Sequence, residues 1–389
     1  MKVLYIVNDL GYFRQHRENI AVALAAEGHE VIVAAGESNS VSVEDWPPSM
    51  TLIPLDLDRQ HFNLFGDLRF IFSIRSLMKE HQPDLVHALT IKPVLYGSIA
   101  VLMSGVRSGL VWTFPGLGKI FENPGQFIPA LRRRLVTSVL GWLARKFNPQ
   151  ATFENYVDPR VLTLHDILHE DQCNVLCGAG IPESFLEAAE NFTRGRSGNV
   201  SKRKIRVGMA TRLLADKGVD TFLGAASAIT ARELPMEFHL AGVHDPGNPG
   251  SISMDAVREA EERGEIIFHG ALNSAQMPEF LASLDVLCLP TRLREGFPRS
   301  LIEAALAGCA LIATDQQSIR QIVVPDKTGW LLPGGDRGEL CERLEFIAGK
   351  PEEVHRAGAE AREFALSLPI ADHDIVQAFR EVYRAALVR

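Results

Sequence analysis

DVLCLPTRLREGFPRSLIE, residues 285–303, is the stretch from which the fold can be read. DVLCLP reads as a buried parallel strand over 285–289, because an uninterrupted apolar run of this length suits a strand covered on both faces. After a loop that ends on Glu295, Pro298 stands where a helix can begin without wasting a backbone donor. The amides of Arg299, Ser300 and Leu301 would then be free donors aimed at an anion, and Glu303 enters the helix one turn later. In such a crevice Glu303 can accept ribose hydroxyls while Glu295 contacts a sugar. The same residues also suit a loop carboxylate followed by a helix-capping one.

Working outward, the strand and helix signals repeat. Apolar runs at 2–8, 30–35, 84–87 and 109–113 alternate with helical patterns at 14–27, 66–81 and 94–104. The alternation restarts after NFTRGRSGNVSK (191–202), with strands expected near 204–209, 236–241, 265–269, 285–289 and 309–313. Helices are expected near 216–230, 251–263, 276–283, 299–307, 335–348, 352–365 and 371–387. Such alternation makes parallel sheets with helices on both faces, and 389 residues exceed the usual reach of one core. Two α/β domains follow, with a ligand expected where the carboxyl ends of the strands converge.

Composition narrows the function classes. Hydrophobic residues make up 46% and charged residues 23%, as in an ordinary globular protein, and the net charge of −8 argues against a nucleic-acid partner. Five cysteines, among them Cys173, Cys177, Cys288 and Cys309, form no metal-binding spacing. MKVLYIV runs straight into NDLGYF without the form of a secretory leader, so a cytoplasmic location is expected. No window reaches the roughly 18 apolar residues that span a bilayer.

The first loop, NDLGYF, offers Gly11 alone rather than the three glycines of a dinucleotide fingerprint. Gly11 can bring backbone close to phosphate or serve as an ordinary turn glycine. In IRVGMATRLLADKG (205–218), Arg212 and Lys217 follow a strand and flank a helix start, where their stems can reach a diphosphate from one side. A solvated basic pair fits the same spacing. Then come LAGVHD (240–245) and EGFPRSLIE, in that order.

This ordering resembles the family 4 glycosyltransferases, retaining enzymes with the two-domain GT-B fold, over nearly the whole chain. The resemblance implies two Rossmann-like domains whose parallel sheets face an interdomain cleft. It implies an acceptor-side domain over 1–190, a linker at 191–203, a nucleotide-sugar domain over 204–370, and a terminal helix at 371–389 that could pack back on the first domain. Carried over from the family's R-x4-K-G and E-x7-E motifs, diphosphate binding falls on Arg212 and Lys217, and contacts to sugar and ribose on Glu295 and Glu303. Gly11 matches the first-loop glycine, and Phe297 lies where the family presents backbone amides. Many members carry a histidine after the strand at 109–113, but here VWTFPGLGKIF places Pro115 near that position, and a proline moves no proton.

The TFxGLGxxF pattern, HALTIKP (87–93) and SIRQIV (318–323) resemble the subgroup that extends polyprenyl-diphosphate-linked glycans. In that setting His87 or Lys92 would approach the site, although His87 also reads as a satisfied strand-end histidine. The resemblance implies a nucleotide-sugar donor, with UDP first and GDP next, and a polyprenyl-diphosphate-linked saccharide acceptor. No cofactor is expected, and no metal, since no DxD sits at a strand end. A soluble acceptor, a noncatalytic nucleotide-sugar-binding component of a glycan-assembly complex, and an epimerase or phosphorylase on the same scaffold are the rival readings.

FIPALRRRLVTSVLGWLARKF (127–147) holds five basic residues and no acidic one. Ile128, Leu131, Leu135, Val139 and Leu143 recur at helical spacing, with Arg134, Ser138, Gly141 and Arg145 opposite. Such a helix can lie on an anionic membrane with Trp142 at headgroup depth, on the cytoplasmic face of the inner membrane, or its apolar stripe can pack on the first sheet.

Overall fold

The computed structural model describes residues 1–36, 46–56, 64–117, 127–194 and 203–388. They fall into two compact units: Met1–Gly180 with Ala371–Arg389, and Ile181–Ile370.

In the first unit seven strands form one sheet: β1 (Lys2–Val7), β2 (Glu30–Gly36), β3 (Met50–Leu55), β4 (Leu85–Leu89), β5 (Gly109–Phe114), β6 (Gln150–Phe153) and β7 (Cys173–Val175). Their order is β3-β2-β1-β4-β5-β6-β7, and every pairing is parallel. The helices are α1 (Leu10–His16), α2 (Glu18–Ala26), α3 (Leu64–His81), α4 (Ile91–Ser104), α5 (Phe127–Phe147) and α6 (Val157–Leu164).

Alternate strand residues send their side chains to opposite faces. Leu4 and Ile6 of β1 join a core with α3, α4, α5 and α6, while Val3, Tyr5 and Val7 join another with α1 and α2. That double burial explains why the strands read as continuous apolar runs rather than alternating ones.

The second unit begins with α7 (Glu183–Arg194) and continues as β8 (Ile205–Ala210), α8 (Val219–Ala231), β9 (Met236–Ala241), α9 (Met254–Glu262), β10 (Ile267–Phe268), α10 (Met277–Ser283) and β11 (Val286–Leu289). It ends with α11 (Arg299–Leu306), β12 (Ala310–Thr314), β13 (Gly329–Leu332), α12 (Arg337–Ala348) and α13 (Pro351–Leu366). Its sheet order is β10-β9-β8-β11-β12-β13, again parallel throughout. In both sheets the strand order reverses beside the first strand of the unit, between β1 and β4 and between β8 and β11. Loops leaving those strands diverge and open a crevice there.

Three expectations need correction. The boundary falls at Gly180 and Ile181 rather than after residue 190, because α7 packs on α10 and α11 of the second unit. The helix expected over 14–27 is two helices, broken at Arg17, whose backbone leaves the helical region (φ −141°, ψ −6°). The Arg17 side chain is buried and donates to Glu154 at 2.8 Å, so tertiary pairing sets the break.

In α5 the buried face is Val136, Leu140, Leu143 and Ala144, and Leu135 points outward. Leu143 and the partly buried Val139 of the expected stripe do face the core, so the inward face departs from that stripe at Leu135. The side chains of Ile128, Leu131 and Arg132 lie outside the described residues.

The last helix, α14 (Asp372–Leu387), lies in the first unit. It inserts Ile375, Val376, Phe379, Val382, Tyr383 and Ala386 into the core formed with α1, α2 and the sheet.

Candidate active site

The switch point of the second sheet gathers the charged residues singled out in the sequence. After β8 the chain makes a single 3-10 turn, Ala215–Lys217, and then enters α8 through Gly218. Gly218 has φ +82°, and an added Cβ would lie 2.1 Å from the carbonyl oxygen of Pro290. Only glycine permits both the left-handed backbone and this approach of the β8 loop to the β11 loop. The amides of Arg292 and Leu293 donate to the Asp216 carbonyl at 2.8 and 3.2 Å, which ties the two loops together. Arg292 adds bonds to the Ala215 carbonyl at 3.1 Å and to Asp220 at 2.8 Å.

Across this seam Lys217 Nζ donates to both carboxylate oxygens of Glu295, at 2.8 and 2.9 Å. Glu295 Oε1 also accepts from Thr291 Oγ1 at 2.8 Å. The Glu295 amide donates to Gln316 Oε1 at 3.0 Å, while Gln316 Nε2 donates to the Leu293 carbonyl at 2.7 Å. One amide side chain, from the loop after β12, thus holds the backbone on both sides of residue 294. The side chains of Lys217 and Glu295 are 18% and 10% exposed, so the pair is shielded yet still borders solvent. A charge-assisted pair in that position can exchange one partner for an incoming anion without unfolding its loops.

Two residues later Phe297 is half-buried, and Pro298 precedes α11 in extended backbone with no side-chain cap. Arg299 and Ser300 head the helix. The Leu301 amide is not a free donor as expected, because it bonds the Pro298 carbonyl at 3.1 Å. Glu303 is buried at 9% exposure, and Arg299 Nε donates to it at 2.6 Å. Burial raises the Glu303 carboxyl above its ordinary pKa, and Arg299 opposes that rise. Arg212 is exposed, with its guanidinium 3.8 Å from Asp245 in the loop after β9. The structure therefore brings Lys217 and Glu295 together directly and places Arg212, Arg299 and Glu303 on loops and a helix end of the same sheet.

The remaining candidates belong to the first unit. Gly11 is the second residue of α1, whose N-cap Asp9 accepts from the Tyr12 amide at 2.5 Å. His87 is not an accessible group and is corrected accordingly. It is fully buried in β4, with Nδ1 2.8 Å from Tyr383 Oη and Nε2 2.6 Å from Thr113 Oγ1. Burial, helped by the nearby charge of Arg17, lowers its pKa well below the usual histidine value. A neutral imidazole with both nitrogens engaged joins α14 to the sheet and cannot meet a substrate. Lys92 is likewise buried, 3.5 Å from Asp67. Half of the TFxGLGxxF pattern, from residue 118 on, lies outside the described residues.

Thr291, Arg292 and Gln316 were missed in the sequence. Thr291 and Gln316 follow the ends of β11 and β12, which is the only sequence signal they carry. Among the described residues no cluster of histidine, cysteine, aspartate or glutamate could hold a metal ion, and no helix is long and apolar enough to cross a membrane.

Comparison with known proteins agrees with this architecture. Residues 2–140 match the family model described as glycosyl transferase 4-like, and residues 192–364 match glycosyl transferases group 1. The N,N'-diacetylbacillosaminyl-diphospho-undecaprenol alpha-1,3-N-acetylgalactosaminyltransferase of Campylobacter jejuni is 26% identical over 305 residues, covering 77% of this chain and 76% of its own. A phosphatidyl-myo-inositol mannosyltransferase of Mycolicibacterium smegmatis is 28% identical over 153 residues, 36% of this chain and 38% of its own.

Among solved structures, sucrose-phosphate synthase from Thermosynechococcus elongatus superposes with a TM-score of 0.75 at 17% identity, covering 100% of this chain and 99% of its own. Anabaena HepE in complex with UDP and glucose gives a TM-score of 0.72 at 17% identity, covering 99% and 100%. The fold class is GT-B, with a parallel α/β sheet in each unit. With both units matched and the R-x4-K-G and E-x7-E residues set at one switch point, the chain belongs to the family 4 glycosyltransferases.

Proposed function

We infer that this glycosyltransferase moves a glycosyl group from a nucleotide sugar, UDP-linked in the first instance, to a polyprenyl-diphosphate-linked saccharide, with retention at the anomeric carbon. The Lys217–Glu295 pair at the β8/β11 switch point carries the reading. In this proposal the donor diphosphate takes over part of Lys217, with Arg212 on its exposed side and the α11 amides of Arg299 and Ser300 facing it. Negative charge gathers on the departing diphosphate as the glycosyl bond breaks, and fixed cations and amides stabilise that state more than the ground state.

Glu295, released from one of its two contacts, orients sugar hydroxyls, and Glu303 meets the ribose. Phe297 packs beside the donor. The UDP assignment is supported by the UDP-bound HepE structure, and the lipid-linked acceptor by the activity named for the Campylobacter relative.

In this reading the protein works peripherally at the cytoplasmic face of an anionic membrane, which α5 contacts through Arg133, Arg134 and Trp142. A thermal-shift panel of nucleoside diphosphates tests the donor half, because a ligand that binds only the folded state raises the melting temperature. Stabilisation by UDP above GDP and ADP is expected; stabilisation by none of them would overturn the donor assignment. Proton NMR of the product should show the anomeric configuration of the donor, and an inverted product would remove the retaining assignment.

A further inference from the structure

Glu295 meets Lys217 through both carboxylate oxygens, at 2.8 and 2.9 Å. A donor diphosphate that takes over Lys217 draws this cation off the carboxylate, so another group has to keep Glu295 aimed. Two side chains behind the loop are placed to do so.

Thr291 follows the end of β11 and is fully buried. Its hydroxyl lies 2.8 Å from Glu295 Oε1, 3.3 Å from the Asp216 carbonyl and 3.5 Å from the Leu293 carbonyl. A hydroxyl carries a single proton, and the shortest contact is also the one to a charged acceptor, so the proton goes to the carboxylate. The Leu293 amide, shared with the Asp216 carbonyl, donates to the same hydroxyl oxygen at 3.2 Å and limits its rotation. Thr291 thus holds Oε1 from the buried side. Once Lys217 turns to the diphosphate, Oε2 is open to a sugar hydroxyl.

Gln316 acts on the backbone of the same loop. Its Oε1 accepts from the Glu295 amide at 3.0 Å, and its Nε2 donates to the Leu293 carbonyl at 2.7 Å and stands 3.4 Å from the Thr291 carbonyl. An amide side chain has one accepting and one donating end, and the backbone groups at each end fix which way this one lies. The chain at residues 291, 293 and 295 is thereby pinned to the loop after β12. Glu295 cannot swing from its backbone position without breaking those bonds, and a hydrogen bond to a sugar weakens steeply when its angle is lost.

We propose that Thr291 and Gln316 are positioning residues for the transferred sugar. The Thr291 hydroxyl holds the Glu295 carboxylate, the Gln316 amide holds its backbone, and neither touches the donor. The proposal rests on the nucleotide-sugar reading and deepens it, because it separates what holds the sugar from what holds the nucleotide. Lys217 and Arg212 serve the diphosphate that UDP and a UDP-sugar share, whereas Thr291 and Gln316 serve the part that UDP lacks.

Calorimetric titration of the full chain with UDP, UDP-glucose, UDP-galactose and UDP-N-acetylgalactosamine reads the difference. In Thr291→Val, which keeps the shape and loses the hydroxyl, affinity for the UDP-sugar should fall about tenfold relative to affinity for UDP, as expected for one hydrogen bond to a charged group. Thr291→Ser, which restores the hydroxyl, should return the ratio to that of the unaltered chain. Gln316→Met, which fills the space without either amide atom, should shift the ratio in the same direction as Thr291→Val.

Equal weakening of UDP and UDP-sugar by Thr291→Val, or a loss that Thr291→Ser does not restore, would show that the threonine only packs the loop and would overturn the proposal. An unchanged ratio in Gln316→Met would overturn the Gln316 half. Binding of neither UDP nor any of the UDP-sugars by the unaltered chain would remove the nucleotide-sugar reading itself, an outcome distinct from a variant that binds UDP normally and loses the sugar.

Discussion

The polar clusters at His87 and at Lys217 use similar side chains to opposite ends. Around His87 the partners come from regular elements: Tyr5 on β1, Thr113 on β5, Thr152 on β6 and Tyr383 on α14. Every bond is buried, and the chain of contacts joins residues up to 378 positions apart. Around Lys217, itself in the loop after β8, the partners come from the loops after the next two strands of the sheet: Thr291 and Glu295 after β11 and Gln316 after β12. That cluster borders solvent, and its backbone is fixed by other bonds. A titratable residue inside a strand serves to join elements. One placed beyond the strand ends, on loops held from behind, can change partners when a ligand arrives.

Substitution separates the two roles. Lys217→Ala should lower transfer about a thousandfold, as removal of charge stabilisation at a departing group does, with little change in melting temperature. Near-normal turnover would erase the contrast. His87→Ala should do the reverse: turnover per folded molecule is kept, while chemical denaturation shows a loss of about 2–4 kcal/mol from a cavity and from leaving Tyr383 and Thr113 without a buried partner.

Gly218→Ala tests whether the loop backbone is fixed from behind. The clash with Pro290 and the left-handed backbone should cost about 1–3 kcal/mol and weaken donor binding together, read by denaturation and by nucleotide titration.

The smallest effect concerns pH. The folded-state pKa of His87 lies below its unfolded value near 6.5, so as pH falls through that range the unfolded chain takes up a proton that the folded chain refuses. Stability should then fall by up to about 1.4 kcal/mol per pH unit from this residue. His87→Gln should flatten the slope by one proton, and an unchanged slope would show that the imidazole is not held neutral.

Much of the second unit was legible because its signals are local. The DVLCLP run, Pro298 at a helix start, and the basic residues between β8 and α8 announce themselves within a few positions. β6, β7 and β13 did not, since strands of three or four residues are held by their neighbours rather than by their own pattern. Pro54 hid β3 in the same way, as a residue tolerated at the edge of a sheet.

His87 was open to two readings because its decisive partner, Tyr383, lies 296 residues further on. The side of α5 that faces the core depends on which residues α4 and the sheet accept, so helical spacing grouped Leu135 with Leu143 on one stripe, and packing buries Leu143 while leaving Leu135 exposed. Gln316 was invisible because an amide side chain at a strand end becomes a clamp only when another loop lies within reach.

Release of UDP-sugar label into a lipid-extractable polyprenyl-diphosphate product, measured for the purified chain beside its Lys217→Ala variant and in the presence of a chelator, tests the central claim most directly. The account predicts labelled lipid product from the unaltered chain, undiminished by chelation, and about a thousandfold less from the variant. No transfer from any nucleotide sugar, or equal transfer by both proteins, would contradict it.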